Sequence, residues 1–297
     1  MTDQPAPDPA LSFGSVAAAY DRGRPTYPRE AIEWAIGTEP RSVLELGAGT
    51  GKLTQRLVEA GHEVFATDPD DAMLDVLSER LPDVRATRGT AEQIPTSDGL
   101  YDVVVTGQAF HWFDTAKALP EIVRVLRPGG GLVILRNERD ERIPWVRRMS
   151  SLIGKSDKLD PPTKVLDDSG LFSAVDTGTF RHWQVIDRET VQDLVLSRSP
   201  VTVLDADARE QRRREVLAFY DDYGRGMDGM QLPYNCVAYR TQVLPHARPH
   251  DDRVEIEEKP ADPPMYHRTD TVERLPRVIT DPRHDDGGDD MLLIDFT

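Results

Sequence analysis

The 297-residue chain has almost no cysteine and no long apolar run. Its single cysteine, Cys236, excludes an intramolecular disulfide, and no Cys or His stands near it at zinc-site spacing. We therefore expect Cys236 to be a small apolar residue of a strand, and we expect no resident metal. No run approaches the roughly 18 uncharged apolar residues of a membrane-spanning helix, and residues 1–10 lack the apolar core of a signal peptide. These absences predict a cytoplasmic protein without a membrane partner.

The sequence has fewer basic than acidic residues. It contains 36 Lys and Arg residues and 52 Asp and Glu residues, which gives a net charge of −16. Such a charge repels phosphate backbones, so a nucleic-acid partner would need a strong basic patch. The best candidate, the arginines within residues 209–214, is interrupted by acidic residues and is typical of a solvated helix face. We expect no nucleic-acid partner.

Composition separates the two ends of the chain from its middle. Residues 1–10 are polar and proline-rich, and residues 246–297 contain 14 acidic and 7 basic residues with little periodic apolar patterning. We predict a disordered leader at 1–10, a folded domain at 11–245, and an acidic, disordered tail at 246–297.

Within the predicted domain, short apolar runs alternate with amphipathic helical stretches. This pattern favours a parallel sheet with helices on both faces. We predict strands at residues 42–46, 63–67, 84–88, 102–106 and 132–136, and helices at 50–60, 71–81 and 115–126. Further along, we predict a strand at 175–184, helices near 189–197 and 208–223, and a last strand at 235–243. The last two strands would form an antiparallel hairpin at the sheet edge, with the intervening helices as a lid.

The most informative stretch is VLELGAGTGKL, which places Gly47, Gly49 and Gly51 between a strand and a helix. Glycines let the backbone approach a ligand closely, and the following helix presents free amides. The third glycine of a dinucleotide fingerprint would stand at Lys52. A phosphate-binding loop would need Ser or Thr at Leu53. Neither pyrophosphate pattern is satisfied.

The second strand ends in Asp68, at the carboxyl edge where ligands of open α/β sheets bind. If the first two strands are neighbours, this carboxylate lies beside the glycine turn and can accept both hydroxyls of a ribose. Met73, one helical turn later, would pack on a flat base or belong to the core.

Five motifs in order then resemble those of class I S-adenosylmethionine (SAM)-dependent methyltransferases of the small-molecule type, such as the biotin-synthesis, ubiquinone-synthesis and trans-aconitate methyltransferases. They are ELGAGTG, ATDPD, GTAEQIP, YDVVVTGQAFHWF and LRPGG. The resemblance covers about residues 11–245. It implies a Rossmann-like, seven-stranded, mostly parallel sheet with a helical lid, S-adenosyl-L-methionine as cofactor, and S-adenosyl-L-homocysteine (SAH) as product.

The resemblance also implies roles for individual residues. The cofactor-binding set would be Tyr20 and Arg24 closing over the cofactor, Glu45, Gly47, Ala48 and Gly49 around its methionine part, Asp68 at the ribose, Met73, Ala91 and Glu92 at the adenine, and Gln108 beside the sulfonium. Pro120 departs from the family pattern because it falls inside a predicted helix, which it should kink by removing a backbone donor.

Methyl transfer mostly demands alignment, so orienting residues should outnumber chemical ones. His111 is the best candidate base, because its ordinary pKa is about 6.5. Alternatively, His111 only shapes the pocket, and a carboxylic acid acceptor would need no base. Six aromatic or basic residues of the later segment are candidates to line the acceptor pocket, although most should belong to the core or surface: Arg136, Trp145, His182, Trp183, Tyr220 and Tyr234.

These observations predict transfer of a methyl group to a small-molecule acceptor, and they leave the acceptor and the oligomeric state open. Two alternatives remain: a non-catalytic SAM-binding or scaffolding protein that acts through its acidic tail, and a nicotinamide-dependent oxidoreductase.

Overall fold

A computed structural model of the chain describes residues 21–154, 159–196, 205–223 and 229–247. The chain divides into two units, residues 1–251 and 252–297, and all described residues belong to the first. The predicted leader and all of the predicted tail except residues 246 and 247 lie outside the described residues. The domain boundaries therefore stay predictions.

In the described residues, strands form a mixed sheet of seven in the order β3-β2-β1-β4-β5-β7-β6. The first five strands run parallel, and β7 pairs antiparallel with both β5 and β6. The strands are β1 (Ser42–Leu46), β2 (Glu63–Asp68), β3 (Arg85–Arg88), β4 (Tyr101–Gly107), β5 (Leu126–Arg139), β6 (Asp176–Ile186) and β7 (Met230–Gln242). The predicted parallel sheet and the antiparallel edge hairpin are both confirmed.

Eight helices connect or cover these strands among the described residues. They are α1 (Arg29–Ile36), α2 (Lys52–Glu59), α3 (Asp71–Arg80), α4 (Thr115–Val125), α5 (Pro144–Ile153), α6 (Thr163–Ser169), α7 (Thr190–Leu196) and α8 (Ala206–Tyr223). Short 3₁₀ turns occupy Phe110–Trp112 and Pro245–Ala247. Helix α4 continues through Pro120.

Two apolar layers sandwich the parallel strands. On one face, Ile32 of α1 and Leu57 of α2 pack in a cluster with Val43 of β1. On the other face, Ile122 of α4 packs in a cluster with Leu44 of β1. Burial on both faces explains why these strands are continuous apolar runs rather than alternating ones.

The later helices form a separate apolar cluster at the extended end of the hairpin. Met149 of α5, Leu194 of α7 and Phe219 of α8 pack there with Leu232 of β7. This cluster is the predicted helical lid.

Cys236, in the middle of β7, is fully buried. Burial raises the pKa of its thiol to about 12, so it is a packed apolar side chain rather than a reactive one.

The end of the described chain continues slightly beyond the predicted domain boundary. In the 3₁₀ turn at Pro245–Ala247, the ring Nε2 of His246 lies 3.1 Å from the backbone oxygen of Gly170.

Among the described residues, no helix combines the length and the apolar character required to cross a bilayer.

Candidate active site

The three-glycine turn after β1 is fastened to the neighbouring strand β2. The amides of Gly47 and Ala48 donate to the backbone oxygen of Thr67 at 2.9 and 3.0 Å. Gly47 has a φ of 71°, and a Cβ at this position would lie 2.5 Å from the Cβ of Ala109. Gly49 has a φ of 54°, but a Cβ there would meet no atom of the described residues within 4 Å. Gly47 is therefore needed for chain packing, whereas Gly49 faces open space.

Asp68 at the end of β2 joins this turn directly. Its Oδ2 accepts the amide of Gly49 at 2.8 Å, and its Oδ1 accepts the amide of Asp70 at 2.9 Å. Asp68 is 8% exposed, and burial raises the pKa of its carboxyl while the two amide bonds oppose that effect. The predicted adjacency of carboxylate and turn is confirmed. Each oxygen keeps a second lone pair for a ligand hydroxyl.

Asp70 is a second carboxylate at the same edge, and the sequence prediction did not include it as a site residue. It caps helix α3, where its Oδ1 accepts the amide of Ala72 at 3.0 Å. Its Oδ2 is buried and has no hydrogen-bond partner among the described residues. A buried carboxylate oxygen without a donor is costly. It therefore marks a place where a ligand hydroxyl fits, and its position in the ATDPD motif was the available signal.

Glu45 on β1 is 1% exposed and lies beneath the start of helix α2. The hydroxyl of Thr54 donates to its Oε2 at 2.6 Å. Burial raises the pKa of Glu45 to about 8, against the bond from Thr54 and with the help of the nearby charge of Asp68. Within the described residues, Glu45 and Asp68 have no ion-pair partner, so the site has two buried carboxyl groups and fits a ligand that brings positive charge.

The residues expected around the adenine occupy neighbouring elements. Met73 in the first turn of α3 and Ala91 after β3 are both buried. Glu92 has another contact, because its Oε1 accepts the amide of Asp114 at 2.8 Å. This bond ties the loop after β3 to the start of α4.

Gln108, directly after β4, is the only non-glycine residue with a positive φ among those described, at 62°. Its amide donates to the oxygen of Leu135 at 3.0 Å, and its side-chain Nε2 donates to the oxygen of Asn137 at 2.8 Å. Such a conformation costs an L residue roughly 1–2 kcal/mol and persists where its surroundings enforce it. These two bonds to β5 enforce it here.

His111 lies in the 3₁₀ turn that follows. The buried ring of Phe110 anchors this turn, whereas His111 is exposed, with its ring 4.6 Å from that of Trp112. The turn therefore places His111 at the carboxyl edge of the sheet. Its role as a base stays a prediction.

Asn137 on β5 connects elements that are distant in sequence. Its Nδ2 donates to the oxygen of Thr26 at 3.0 Å, and its Oδ1 lies 3.0 Å from Nε2 of His182 on β6. Because Oδ1 can only accept, Nε2 of His182 carries the proton. Burial lowers the pKa of His182 to about 4, so the ring is neutral at pH 7. Cross-strand contacts of this kind leave no local sequence signal, which is why Asn137 was missed.

Other candidates for the acceptor pocket divide between core and surface. Tyr220 and Tyr234 are buried in the lid cluster, and Trp145 packs against it. Trp183 is 59% exposed on the edge strand β6. Arg136 is nearly buried at the end of β5.

The segment before α1 contacts both the glycine turn and the helical lid. Asp21 accepts the hydroxyl of Thr50 at 2.9 Å and forms ion pairs with Lys52 and Arg80. Its neighbour Arg22 forms a bidentate pair with Asp193 of α7 at 2.7 and 3.1 Å. Of the two residues expected to close over the cofactor, Arg24 is half-buried and Tyr20 lies outside the described residues.

Comparisons with known proteins agree with this geometry. A family model described as a methyltransferase domain matches residues 44–134. A protein of Mycobacterium tuberculosis named as an uncharacterized methyltransferase is 44% identical over 239 residues, which cover 80% of this chain and 97% of that one. A protein of Schizosaccharomyces pombe with the same description is 32% identical over 246 residues, covering 79% and 98%.

The chain belongs to the SAM-dependent methyltransferase family. A solved structure described as a type II methyltransferase, from Anaeromyxobacter dehalogenans, matches with a TM-score of 0.51 and 22% identity over 75% of this chain and 99% of that one. That likeness shows the shared class I, Rossmann-like fold. In this methyltransferase, the open turn at Gly49 and the carboxyl groups of Glu45, Asp68 and Asp70 are the candidate cofactor site.

Proposed function

We propose that this methyltransferase transfers the methyl group of SAM to a small-molecule acceptor by in-line displacement. The observation that carries the proposal is the pair of buried carboxyl groups, Glu45 and Asp68, beside a glycine turn that opens to empty space. Glu45 holds a proton at pH 7 in the ligand-free protein, because burial raises its pKa to about 8. A bound cation would favour its ionised form, so these carboxyl groups, which have no described cationic partner, fit a ligand that bears an ammonium and a sulfonium.

Each residue has a distinct task in this proposal. Asp68 and the unpartnered oxygen of Asp70 receive ribose hydroxyls, while Met73 and Ala91 offer an apolar surface to the base. Glu45 and the backbone of the turn hold the methionine part. We assign the reacting end of the cofactor to Gln108, which two hydrogen bonds to β5 hold in position.

SAM supplies a methyl group that its sulfonium already activates, so the protein has to align the acceptor and exclude water. A lone pair of the acceptor forms the new bond to the methyl carbon, while the electrons of the breaking C–S bond stay on sulfur. A neutral acceptor must also release a proton, and we propose that His111, which is exposed in the 3₁₀ turn after β4, accepts it. An ionised carboxylate acceptor needs no base.

Titration calorimetry with SAM and with SAH tests the proposed cofactor, and transfer of labelled methyl from SAM to a pool of small metabolites tests the activity. We expect both ligands to bind, with Asp68→Asn weakening SAM about 10- to 100-fold, as the loss of a charge-assisted pair of hydrogen bonds would. Asp102→Asn is the matched control. Asp102 also accepts a strand amide, that of Ser42 at 2.9 Å, but from the opposite edge of the sheet.

The alternatives make different predictions. Binding of SAM without transfer to any acceptor pool would favour a non-catalytic SAM-binding protein. Binding of a nicotinamide dinucleotide without SAM would favour an oxidoreductase. A small acceptor is proposed over a nucleic acid because the net charge is −16, and a cytoplasmic location stays a prediction.

A further inference from the structure

We infer that the methyl acceptor carries a carboxylate and that Arg136 binds it. This inference rests on the proposed function and names the chemical class of its acceptor. The observation behind it is a buried guanidinium in which only one of the three nitrogens donates hydrogen bonds to described residues.

Arg136 lies near the end of β5 and is 5% exposed. One of its nitrogens, Nη1, donates to the backbone oxygens of Leu159 and Asp160 at 3.3 and 2.8 Å. Nε and Nη2 have no partner among the described residues. Neither nitrogen is fully enclosed by protein, so solvent or a ligand reaches this edge of the guanidinium.

The charge of Arg136 is not neutralised by a direct ion pair. Burial lowers its pKa, and the nearby Tyr239, Glu138 and Asp160 oppose that effect. None of the described acidic side chains comes within 4 Å of the guanidinium. A buried cation without a paired anion is expensive, and a bound anion removes that cost.

The same edge of other arginines in this protein binds carboxylates. Nε and Nη2 of Arg22 hold the two oxygens of Asp193. Nε and Nη2 of Arg142 hold those of Asp140, both at 2.7 Å. The planar pair of donors matches a carboxylate in two parallel hydrogen bonds. The open edge of Arg136 thus offers a binding geometry that the chain already uses internally.

Arg136 lies on the segment of β5 that fixes Gln108, the residue proposed for the reacting end of the site. Leu135, its neighbour, accepts the amide of Gln108 at 3.0 Å. Arg136 lies within 5.9 Å of the ring of Tyr239, measured from its Cζ to the ring centroid, and Tyr239 belongs to the same apolar cluster as Phe110. The guanidinium therefore lies on the side of the sheet that carries the 3₁₀ turn with His111.

Arg139, three residues later, is a natural control. It is equally buried at 5% exposure, but it donates to Ser150 and to the oxygen of Gly154 at 2.8 and 2.6 Å and lies 3.9 Å from Glu141. Its donors serve the packing of α5 rather than an open site. Arg139→Met removes a buried guanidinium without touching the proposed anion site.

The test measures binding of acetate, benzoate, phenylacetate and succinate, and of their neutral amides, to the full-length protein with and without saturating SAH by ligand-observed NMR. We expect at least one carboxylate to bind and its amide not to bind. Arg136→Met should weaken that binding about 10- to 100-fold, the value of a charge-assisted bidentate pair, while SAH affinity is unchanged. Arg139→Met should leave carboxylate binding intact.

Equal binding of acids and amides, binding of neither, or binding of acids that survives in Arg136→Met would overturn the inference. If Arg136→Met does not fold, Arg136→Lys provides the test. This variant keeps the positive charge but loses the planar pair of donors, so it should still weaken carboxylate binding. Absence of SAM and SAH binding in the wild type would instead contradict the proposed function. In that case, the carboxylate binding measured without SAH would still test the role of Arg136.

Discussion

The two halves of this sheet differ in how they obtain their functional groups. At the edge formed by β1 and β2, the turn and its carboxylate lie within 24 residues of sequence, from Glu45 to Asp68, and are joined by short backbone contacts. At the edge formed by β5, β6 and β7, Asn137 reaches Thr26 and His182, which are 111 and 45 residues away. The first region is a local motif, and the second is assembled by topology.

The difference separates what can vary from what cannot. The compact turn, the proposed cofactor site, tolerates few changes, because Gly47 has no room for a methyl group. The hairpin and lid supply side chains from several segments. If they bind the acceptor, as proposed, substitutions there can change the acceptor without disturbing the proposed cofactor site. Variants in the first region should therefore change folding or SAM affinity, and variants in the second should change acceptor binding.

The largest effect should come from Gly47→Ala. Its Cβ would lie 2.5 Å from that of Ala109 in a left-handed backbone, so we expect a loss of about 2–5 kcal/mol in the free energy of unfolding. Urea unfolding measures this loss. Gly61→Ala is the control, because Gly61 also has a positive φ, of 90°, but a Cβ there meets nothing within 4 Å in the part of the chain that the structure describes. Equal losses in the two variants would contradict a packing role for Gly47.

Glu45→Gln should make ligand-free protein more stable at high pH. Burial raises the pKa of Glu45 from its ordinary 4.5 to about 8, so the folded state holds a proton that the unfolded state releases. Stability from this group is complete below pH 4.5 and falls as the pH rises to about 8, by up to about 1.4 kcal/mol per unit. The neutral amide of the variant does not titrate and carries no such loss. Unfolding curves at pH 5 and 8.5 that show a constant difference between the two proteins would refute this account.

Gly49→Ala should act on the ligand rather than on the fold. Because a Cβ there contacts none of the described residues, we expect a stability cost of about 1–2 kcal/mol from the backbone conformation and a loss of SAM affinity of about tenfold or more. Gly37→Ala, at a φ of 101° and also facing open space, should show a backbone cost without the loss of affinity. Calorimetry that finds wild-type SAM affinity in Gly49→Ala would remove this turn from the site.

The smallest effects should come from the segment that joins the two regions. Arg22→Ala removes an ion pair in which the arginine side chain is 58% exposed and that of Asp193 is 13% exposed, and it should change stability by about 1 kcal/mol or less. Asp21→Asn should weaken SAM binding by about a few-fold, because Asp21 contacts Thr50 and Lys52 next to the glycine turn. A larger effect of Arg22→Ala than of Asp21→Asn on SAM affinity would reverse this assignment.

Local pattern predicted the cofactor region well. Strand β1 has the predicted bounds of 42–46, and Asp68 ends β2 beside the turn. These features follow from apolar runs and glycines that act over a few residues. Pro120 does not end α4, which runs through it, and the expected kink stays a prediction.

The rest could not be predicted, because it depends on contacts between distant segments. Helices α1, α5 and α6 were not predicted. Strand β5 begins at Leu126, six residues before its predicted start, because Leu126 pairs with Tyr101 across a shift in register. The contacts of Asn137 and the open edge of Arg136 depend on residues of other elements, so the local sequence does not predict them.

The most direct test of the central claim is a calorimetric titration of the wild type and Asp68→Asn with SAM and SAH. We predict saturable binding of both ligands to the wild type and a loss of about 10- to 100-fold in SAM affinity in the variant. No heat with either ligand, or equal affinity in the two proteins, would contradict that claim.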